Sequence, residues 1–104
     1  MSKEPDISPE TLVVAVKEQM STSLGEEAVI LQLKKGVYYG LNPLGARIWE
    51  LLKEPRTVRD IKEVILAEYE VGPEQCEQDL LRLLKELAAH GLIEVRRGTA
   101  PQNP

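Results

Sequence analysis

The hydrophobic pattern of this chain changes its period once, at Asn42. Before that residue, apolar side chains fall in short runs typical of β-strands, at residues 12–17, 28–33 and 37–41. After it, they recur at the 3.6-residue spacing of amphipathic helices. Asn42 can cap a helix, and Pro43 suits a first helical position because an N–H there would have no intrahelical partner. The sequence therefore predicts strands in the first half of the chain and helices in the second.

The three runs before Asn42 predict an antiparallel meander. The polar segment 18–27 lies between the first two runs and is predicted to be a surface loop. Residues 34–36 form a tight turn before the third run. In such a meander the third strand, residues 37–41, lies at an edge of the sheet.

Three helices and a short strand are predicted after Asn42. The first helix stops at Pro55, the second opens at Thr57, and the third opens at Pro73 and is capped by Gly91 in the left-handed conformation. Residues 92–97 then alternate as a terminal strand. The predicted fold is α+β and winged helix-turn-helix-like: a three-stranded antiparallel sheet, three helices and a short terminal strand.

The length of 104 residues predicts a single domain. We assign it to residues 12–97, with flexible tails at residues 1–11 and 98–104, where prolines and polar residues dominate. No apolar run is long enough for a membrane span, and residues 1–10 lack the apolar stretch of a secretory signal. The sequence predicts a cytoplasmic protein with no membrane partner.

Few residues of the chain suit catalysis. One histidine and one cysteine exclude a zinc site built from Cys and His, and no glycine-rich phosphate loop occurs. His90 is predicted to interact with a helix C-terminus, and Cys76 to be a small buried hydrophobe. We therefore predict no enzyme, no metal and no cofactor.

A winged-helix shape also suggests a DNA-binding regulator, with the third helix in the major groove. The charge disfavours this class, since 13 basic residues stand against 17 acidic ones, a formal net charge of −4. The third helix itself is acidic: Glu74, Glu77, Asp79 and Glu86 stand against Arg82 and Lys85. The sequence predicts no nucleic-acid partner.

Two features favour peptide binding instead. Residues 37–41 carry no charge or proline, so an edge strand there is an open template for an added strand. The apolar residues of the third helix spread over about 160° of its circumference, more than a core-facing stripe needs. The excess is expected to line a groove beside the open edge.

A structural alternative explains the same features. Tyr38 or Tyr39 would then cover the core, a tail or helix would shield the edge, and the additional leucines would fill the interior. A symmetric dimer that pairs the two edges is a further alternative, although a monomer is the expected state.

The residues with the most specific pattern lie in three stretches, GVYYGLNPLGARIWELL, RTVRDIKEVILAEYEV and DLLRLLKELAAHGLIE. With them the chain resembles the PqqD-like family, small recognition domains of pathways that make ribosomally synthesised, post-translationally modified peptides. The resemblance covers residues 12–95. Its most specific residues are Gly36, Tyr39, Leu41, Asn42, Gly45, Ile48, Trp49, Thr57, Ile61, Tyr69, Asp79, Leu87, Gly91, Leu92 and Ile93.

The resemblance implies a non-catalytic adaptor that binds neither DNA nor a cofactor. Such proteins hold the leader segment of a precursor peptide as an added β-strand, between the third strand and the third helix, and deliver the precursor to an enzyme. The stretch YYGLNPLGARIWELL most resembles the stand-alone leader-binding proteins of lasso-peptide clusters. Their partners are a separate leader peptidase and then an ATP-dependent macrocyclising enzyme. A peptide chaperone for a radical S-adenosylmethionine enzyme is the alternative.

The candidate peptide-binding residues lie on two walls. Backbone groups of the strand would pair with the leader, and Gly40 would allow its backbone to approach closely. Asp79 could pair with a leader Lys or Arg, or accept a hydrogen bond from a Tyr hydroxyl. The strand contributes Val37, Tyr38, Tyr39 and Gly40, and the helix contributes Cys76, Asp79, Leu80, Leu83 and Leu84.

Overall fold

The structure, a computed structural model, describes residues 7–96. The change from strands to helices falls at Asn42, as predicted, with two short strands after it. The elements are β1, Leu12–Ala15; β2, Gln19–Leu24; β3, Glu27–Gln32; β4, Val37–Leu41; α1, Pro43–Leu51; β5, Arg56–Thr57; α2, Val58–Glu68; α3, Pro73–Ala89; and β6, Ile93–Arg96. Residues 1–6 of the predicted N-terminal tail (1–11) and the whole predicted C-terminal tail (98–104) lie outside the described residues.

The strands form two antiparallel three-stranded sheets, in the orders β2-β3-β4 and β5-β1-β6. With three helices and a terminal strand, this arrangement confirms the α+β class and is compatible with a winged helix. The single predicted sheet is wrong in one respect, because β1 pairs with the terminal strand β6 and not with β3.

The predicted surface loop at residues 18–27 is also wrong, since it contains β2. Five of the six residues of β2 are exposed, and they include Met20 and Leu24. The strand therefore has no buried apolar face to reveal it, and its pairing with β3 holds it in place. Gly25, with a φ of +67°, turns the chain between the two strands.

The N-terminal segment is ordered before the predicted boundary at Leu12. Thr11 is buried, and its carbonyl oxygen accepts a hydrogen bond of 3.0 Å from the Val58 N–H. The carbonyl oxygen of Pro9 accepts another, also of 3.0 Å, from the Arg59 N–H. These carbonyls meet N–H groups at the start of α2, which have no intrahelical partner.

The helix ends form as their local sequences predict. The Asn42 side chain accepts a hydrogen bond of 2.8 Å from the Gly45 N–H, and Thr57 caps α2 in the same way. At the end of α3, Gly91 has a φ of +71° and the Leu92 N–H donates to the Leu87 carbonyl at 2.9 Å. This is the left-handed cap expected from Gly91.

The hydrophobic core lies between the inner face of the β2-β3-β4 sheet and the three helices. Helix α1 packs on β3, while α3 packs on α2 and β6. Among residues 7–96, no helix is both long and apolar enough to cross a membrane. The largest side chains with less than 2% exposure are Ile30, Leu52, Ile61, Ile65, Leu80, Leu84, Leu87, Leu92 and Val13.

A candidate peptide-binding groove

Strand β4 lies at an edge of its sheet, as predicted. It pairs with β3 from Gln32↔Val37 to Ala28↔Leu41, and within residues 7–96 no strand pairs with its other side. The outward backbone groups of β4 are therefore available to another extended chain.

The two faces of β4 meet different surroundings. The register places Tyr39 opposite Ile30 of the core, while Tyr38 lies opposite Leu31, on the outer face of the sheet. Tyr39 is half-buried, whereas Tyr38 is 70% exposed. Of the two tyrosines, Tyr39 is therefore the one that faces α3.

A groove of about 330 Å³ separates β4 from α3, and we call it the β4–α3 groove. Strand β4 and the start of α1 form one side of it, and α3 forms the other. Leu44, Ile48 and Leu83 supply its apolar surface. The full lining is Tyr39, Gly40, Leu41, Asn42, Leu44, Gly45, Ile48, Asp79, Arg82, Leu83 and Glu86.

The structure brings four of the predicted site residues together in this groove: Tyr39, Gly40, Asp79 and Leu83. Val37 and Tyr38 lie on the edge strand but outside the lining.

The remaining three predicted residues belong to the core. Cys76 is 5% exposed, Leu80 1% and Leu84 0%. Their side chains lie on the middle of the apolar face of α3, which packs inward, so they do not line the groove. Only the flank that carries Leu83 reaches the groove, and Leu81 on the other flank faces α2.

Several lining residues were missed from the sequence. Arg82 and Glu86 follow Asp79 at three and seven residues, a spacing that places them on one side of the helix. That spacing could have identified them. The contribution of Leu44 and Ile48 depends on how α1 packs beside β4, which no local pattern specifies.

A polar contact crosses one end of the groove. The Tyr39 hydroxyl donates a hydrogen bond to the Glu86 carboxylate. Burial, together with this bond and the nearby negative charge, raises the pKa of Tyr39 to about 12. The Tyr39 ring also lies 5.2 Å from the His90 ring, in a tilted arrangement.

A second polar link fixes the β3–β4 hairpin to the end of α3. Gln32 is buried; its Nε2 donates to the Gly91 carbonyl at 3.3 Å, and its Oε1 accepts from the Lys35 N–H at 2.9 Å. His90 Nδ1 lies 2.8 Å from the Glu86 carbonyl oxygen, which confirms its predicted place at the helix C-terminus. Together these contacts join the β3–β4 hairpin to the C-terminal end of α3.

The one cysteine of the chain, Cys76, lies in the core and does not line the groove. Burial raises the pKa of the Cys76 thiol, so the reactive thiolate is disfavoured there. Within residues 7–96, no group of three or more His, Cys, Asp or Glu side chains is placed to hold a metal ion. An open strand edge with a groove beside it, lined by both apolar and polar side chains, is an arrangement that can accept an extended peptide.

The chain belongs to the PqqD family, because the family model described as coenzyme PQQ synthesis protein D (PqqD) matches residues 27–93. That match contains β3, β4 and all three helices, so it covers both walls of the groove. The predicted family is confirmed. None of the curated proteins matches the chain.

Two solved structures are similar to it. One is TbiB1 in complex with the TbiA(beta) leader peptide, at 36% sequence identity and a TM-score of 0.73, covering 85% of this chain and 99% of that chain. The other is a lasso peptide synthetase B1 complexed with the leader peptide, at 24% identity and a TM-score of 0.69, covering 79% and 96%. The second likeness shows the fold alone.

Proposed function

We propose that this protein is a leader-binding adaptor of lasso-peptide biosynthesis. It holds the leader segment of a precursor peptide and delivers the precursor to a separate enzyme. The open edge of β4 beside the β4–α3 groove is the observation that carries the proposal. Membership of the PqqD family and the likeness to TbiB1, which is in complex with a leader peptide, support it.

Backbone groups of Val37 to Gly40 supply affinity in this proposal. A leader strand added to β4 lies about 4.8 Å away and exchanges N–H···O=C bonds with it. A Cβ at Gly40 would meet no atom within 4 Å, so the outer face of the strand is open at this position. Alternate leader side chains then point toward α3.

Selectivity comes from the groove. Leu44, Ile48 and Leu83 offer an apolar surface for one large leader side chain, and a buried aromatic or aliphatic anchor dominates an interface of this size. The hydrogen bonds from Gln32 and Tyr39 to the end of α3 tie the two walls to each other, so little ordering of the walls is needed on binding.

The chemistry belongs to partners in this proposal, and the adaptor itself is not an enzyme. The buried Cys76 thiol and the His90 ring held at a helix end are poor candidates for a nucleophile and a base. We infer a leader peptidase as the first partner and an ATP-dependent macrocyclising enzyme as the next, in the cytoplasm where precursor peptides are made. A radical S-adenosylmethionine enzyme is the alternative partner.

The decisive experiment titrates isotope-labelled protein with the leader peptide encoded beside it. We expect binding at micromolar affinity or tighter, about −8 kcal/mol, with backbone amide shifts concentrated at β4 and along the groove side of α3. A folded protein whose spectrum stays unchanged would contradict the proposal. A concentration-dependent dimer whose interface is β4 would then be the alternative to test.

A further inference from the structure

The two carboxylates of the β4–α3 groove, Asp79 and Glu86, differ in their ion pairs. Asp79 accepts a hydrogen bond of 2.9 Å from Gln75 and pairs with Arg82 at 3.6 Å. Glu86 accepts a hydrogen bond from the Tyr39 hydroxyl, and within residues 7–96 it forms no ion pair. A carboxylate offers about four lone-pair sites. Glu86 therefore presents a carboxylate with no ion-pair partner among the described residues and with unused acceptor capacity.

The position of Glu86 on α3 places its charge close to the apolar surface formed by Leu83. Leu83 and Glu86 are one helical turn apart, about 4.5 Å along the axis of α3. Successive side chains on one face of an extended peptide are about 6.5 Å apart. A peptide side chain beside Leu83 therefore has its next same-face neighbour near Glu86, within the reach of a long flexible side chain.

We propose that Glu86 determines leader specificity, and that the bound leader carries a lysine or arginine two residues from the apolar residue that contacts Leu83. This inference rests on the proposed leader-binding function. Asp79, the acid predicted from the sequence, is the poorer partner because Arg82 already lies beside it. The net charge of −4 acts in the same direction, since it favours a basic peptide over an acidic one.

Glu86→Gln isolates the charge. The amide oxygen of Gln can still accept the Tyr39 hydroxyl, so the contact across the groove is kept while the negative charge is removed. The matched control is Glu74→Gln, which removes an exposed charge from the first turn of the same helix, outside the groove. Tyr39→Phe keeps the negative charge of Glu86 but removes the hydroxyl that donates to it, so the effect of the charge can be measured without the hydrogen bond.

The test measures the affinity of the encoded leader peptide and of a series in which each of its Lys and Arg residues is singly replaced by Gln. In the wild-type protein we expect one replacement to weaken binding about tenfold, as for a hydrogen bond to a charged group. In Glu86→Gln the same replacement should have no effect, and Glu86→Lys should bind the corresponding Lys→Glu or Arg→Glu peptide better than wild type does. Higher salt should reduce the difference.

Three results would overturn the inference. If Glu86→Gln binds every peptide as wild type does while wild type binds leader tightly, leader binding stands and Glu86 is not selective. If Tyr39→Phe shows the same loss for all peptides regardless of their charge, Glu86 acts only through Tyr39. If wild type binds no peptide of the series, the proposed function itself fails, and this inference with it.

Discussion

The two flanks of α3 carry similar leucines but face different partners. Leu83 lines the β4–α3 groove of about 330 Å³, and Leu81 lines a groove of about 320 Å³ against α2, which we call the α2–α3 groove. The two grooves are similar in size, but the α2–α3 groove is mainly apolar, whereas polar surface exceeds apolar surface in the β4–α3 groove. The difference that matters for an extended peptide is in the backbone, because helices already satisfy their N–H and C=O groups internally, whereas the β4 edge has unpaired ones. Of these two grooves, only the β4–α3 groove lets an extended peptide gain backbone hydrogen bonds from a strand edge.

The polar contacts across the two grooves differ as well. An ion pair of 2.9 Å between Lys62 and Glu77 spans the α2–α3 groove, so the carboxylate that α3 contributes there is already paired. In the β4–α3 groove the corresponding link is the neutral Tyr39 hydroxyl on Glu86. On α3, therefore, Glu77 on the α2 side is ion-paired, whereas Glu86 on the β4 side is not. The sequence of the helix alone does not reveal this difference.

The largest effect is expected from Leu83→Asp. An unpaired carboxylate on the apolar wall should weaken leader binding by more than about 2 kcal/mol, because the leader would have to bury it. Isothermal titration with the leader peptide measures the loss, and circular dichroism checks that the variant stays folded.

Leu81→Asp is the matched control, since both leucines are half-buried on the same helix. We expect it to leave leader affinity unchanged. The reverse result, with Leu81→Asp impaired and Leu83→Asp normal, would move the binding site to the α2–α3 groove and contradict the proposed one.

A smaller effect is expected from the helix caps. Asn42→Ala and Thr57→Ala should each lower the free energy of unfolding by about 1 kcal/mol, because each leaves a first-turn N–H without its side-chain partner. Leader binding should weaken severalfold only in Asn42→Ala, since Asn42 lines the β4–α3 groove and positions the start of α1. Equal binding losses in both variants would mean that global stability, and not the groove, controls affinity.

Sequence patterns are sufficient to predict some features of this fold. The caps at Asn42, Thr57 and Gly91 were predicted because each depends on a few neighbouring residues. The edge position of residues 37–41 was predicted because the last strand of a meander has a neighbouring strand on one side only. One strand of that meander was nevertheless misidentified. Strand β2 was missed because pairing with β3, rather than an apolar face of its own, holds it in place.

The site was predicted less completely than the fold. Periodicity gives the angular position of a residue on α3 but not what covers it, so Cys76, Leu80 and Leu84 were grouped with Leu83 although the core encloses them. The contribution of α1 to the groove depends on how separate elements pack. That is a tertiary property, and it also decides which of Tyr38 and Tyr39 faces α3.

The two tyrosines of β4 provide the next comparison. Tyr39→Phe removes a hydrogen bond to Glu86 and should lower the free energy of unfolding by roughly 0.5 to 1 kcal/mol, while Tyr38→Phe should change it little because Tyr38 is 70% exposed. The pKa of Tyr39 is raised to about 12 in the folded protein, and its unfolded value is about 10. The stability that the Tyr39 hydroxyl contributes is therefore fully present below about pH 10 and is lost as the pH rises through about 12. Urea unfolding of both variants at pH 8 and pH 11 measures it; equal losses at pH 8 would contradict the assigned orientation.

The smallest effect is expected at the edge of the other sheet. Strand β6 is also an edge strand, so it is a competing template for an added chain. Arg96 lies on β6, exposed and paired with Glu94 at 2.9 Å, and such surface pairs contribute little. Arg96→Ala should therefore change both stability and leader affinity by less than about 0.5 kcal/mol, measured by the same titration. A larger loss of affinity would place the leader at β6, beside the groove lined by Val14, Ala15 and Val16, and would contradict the proposed site at β4.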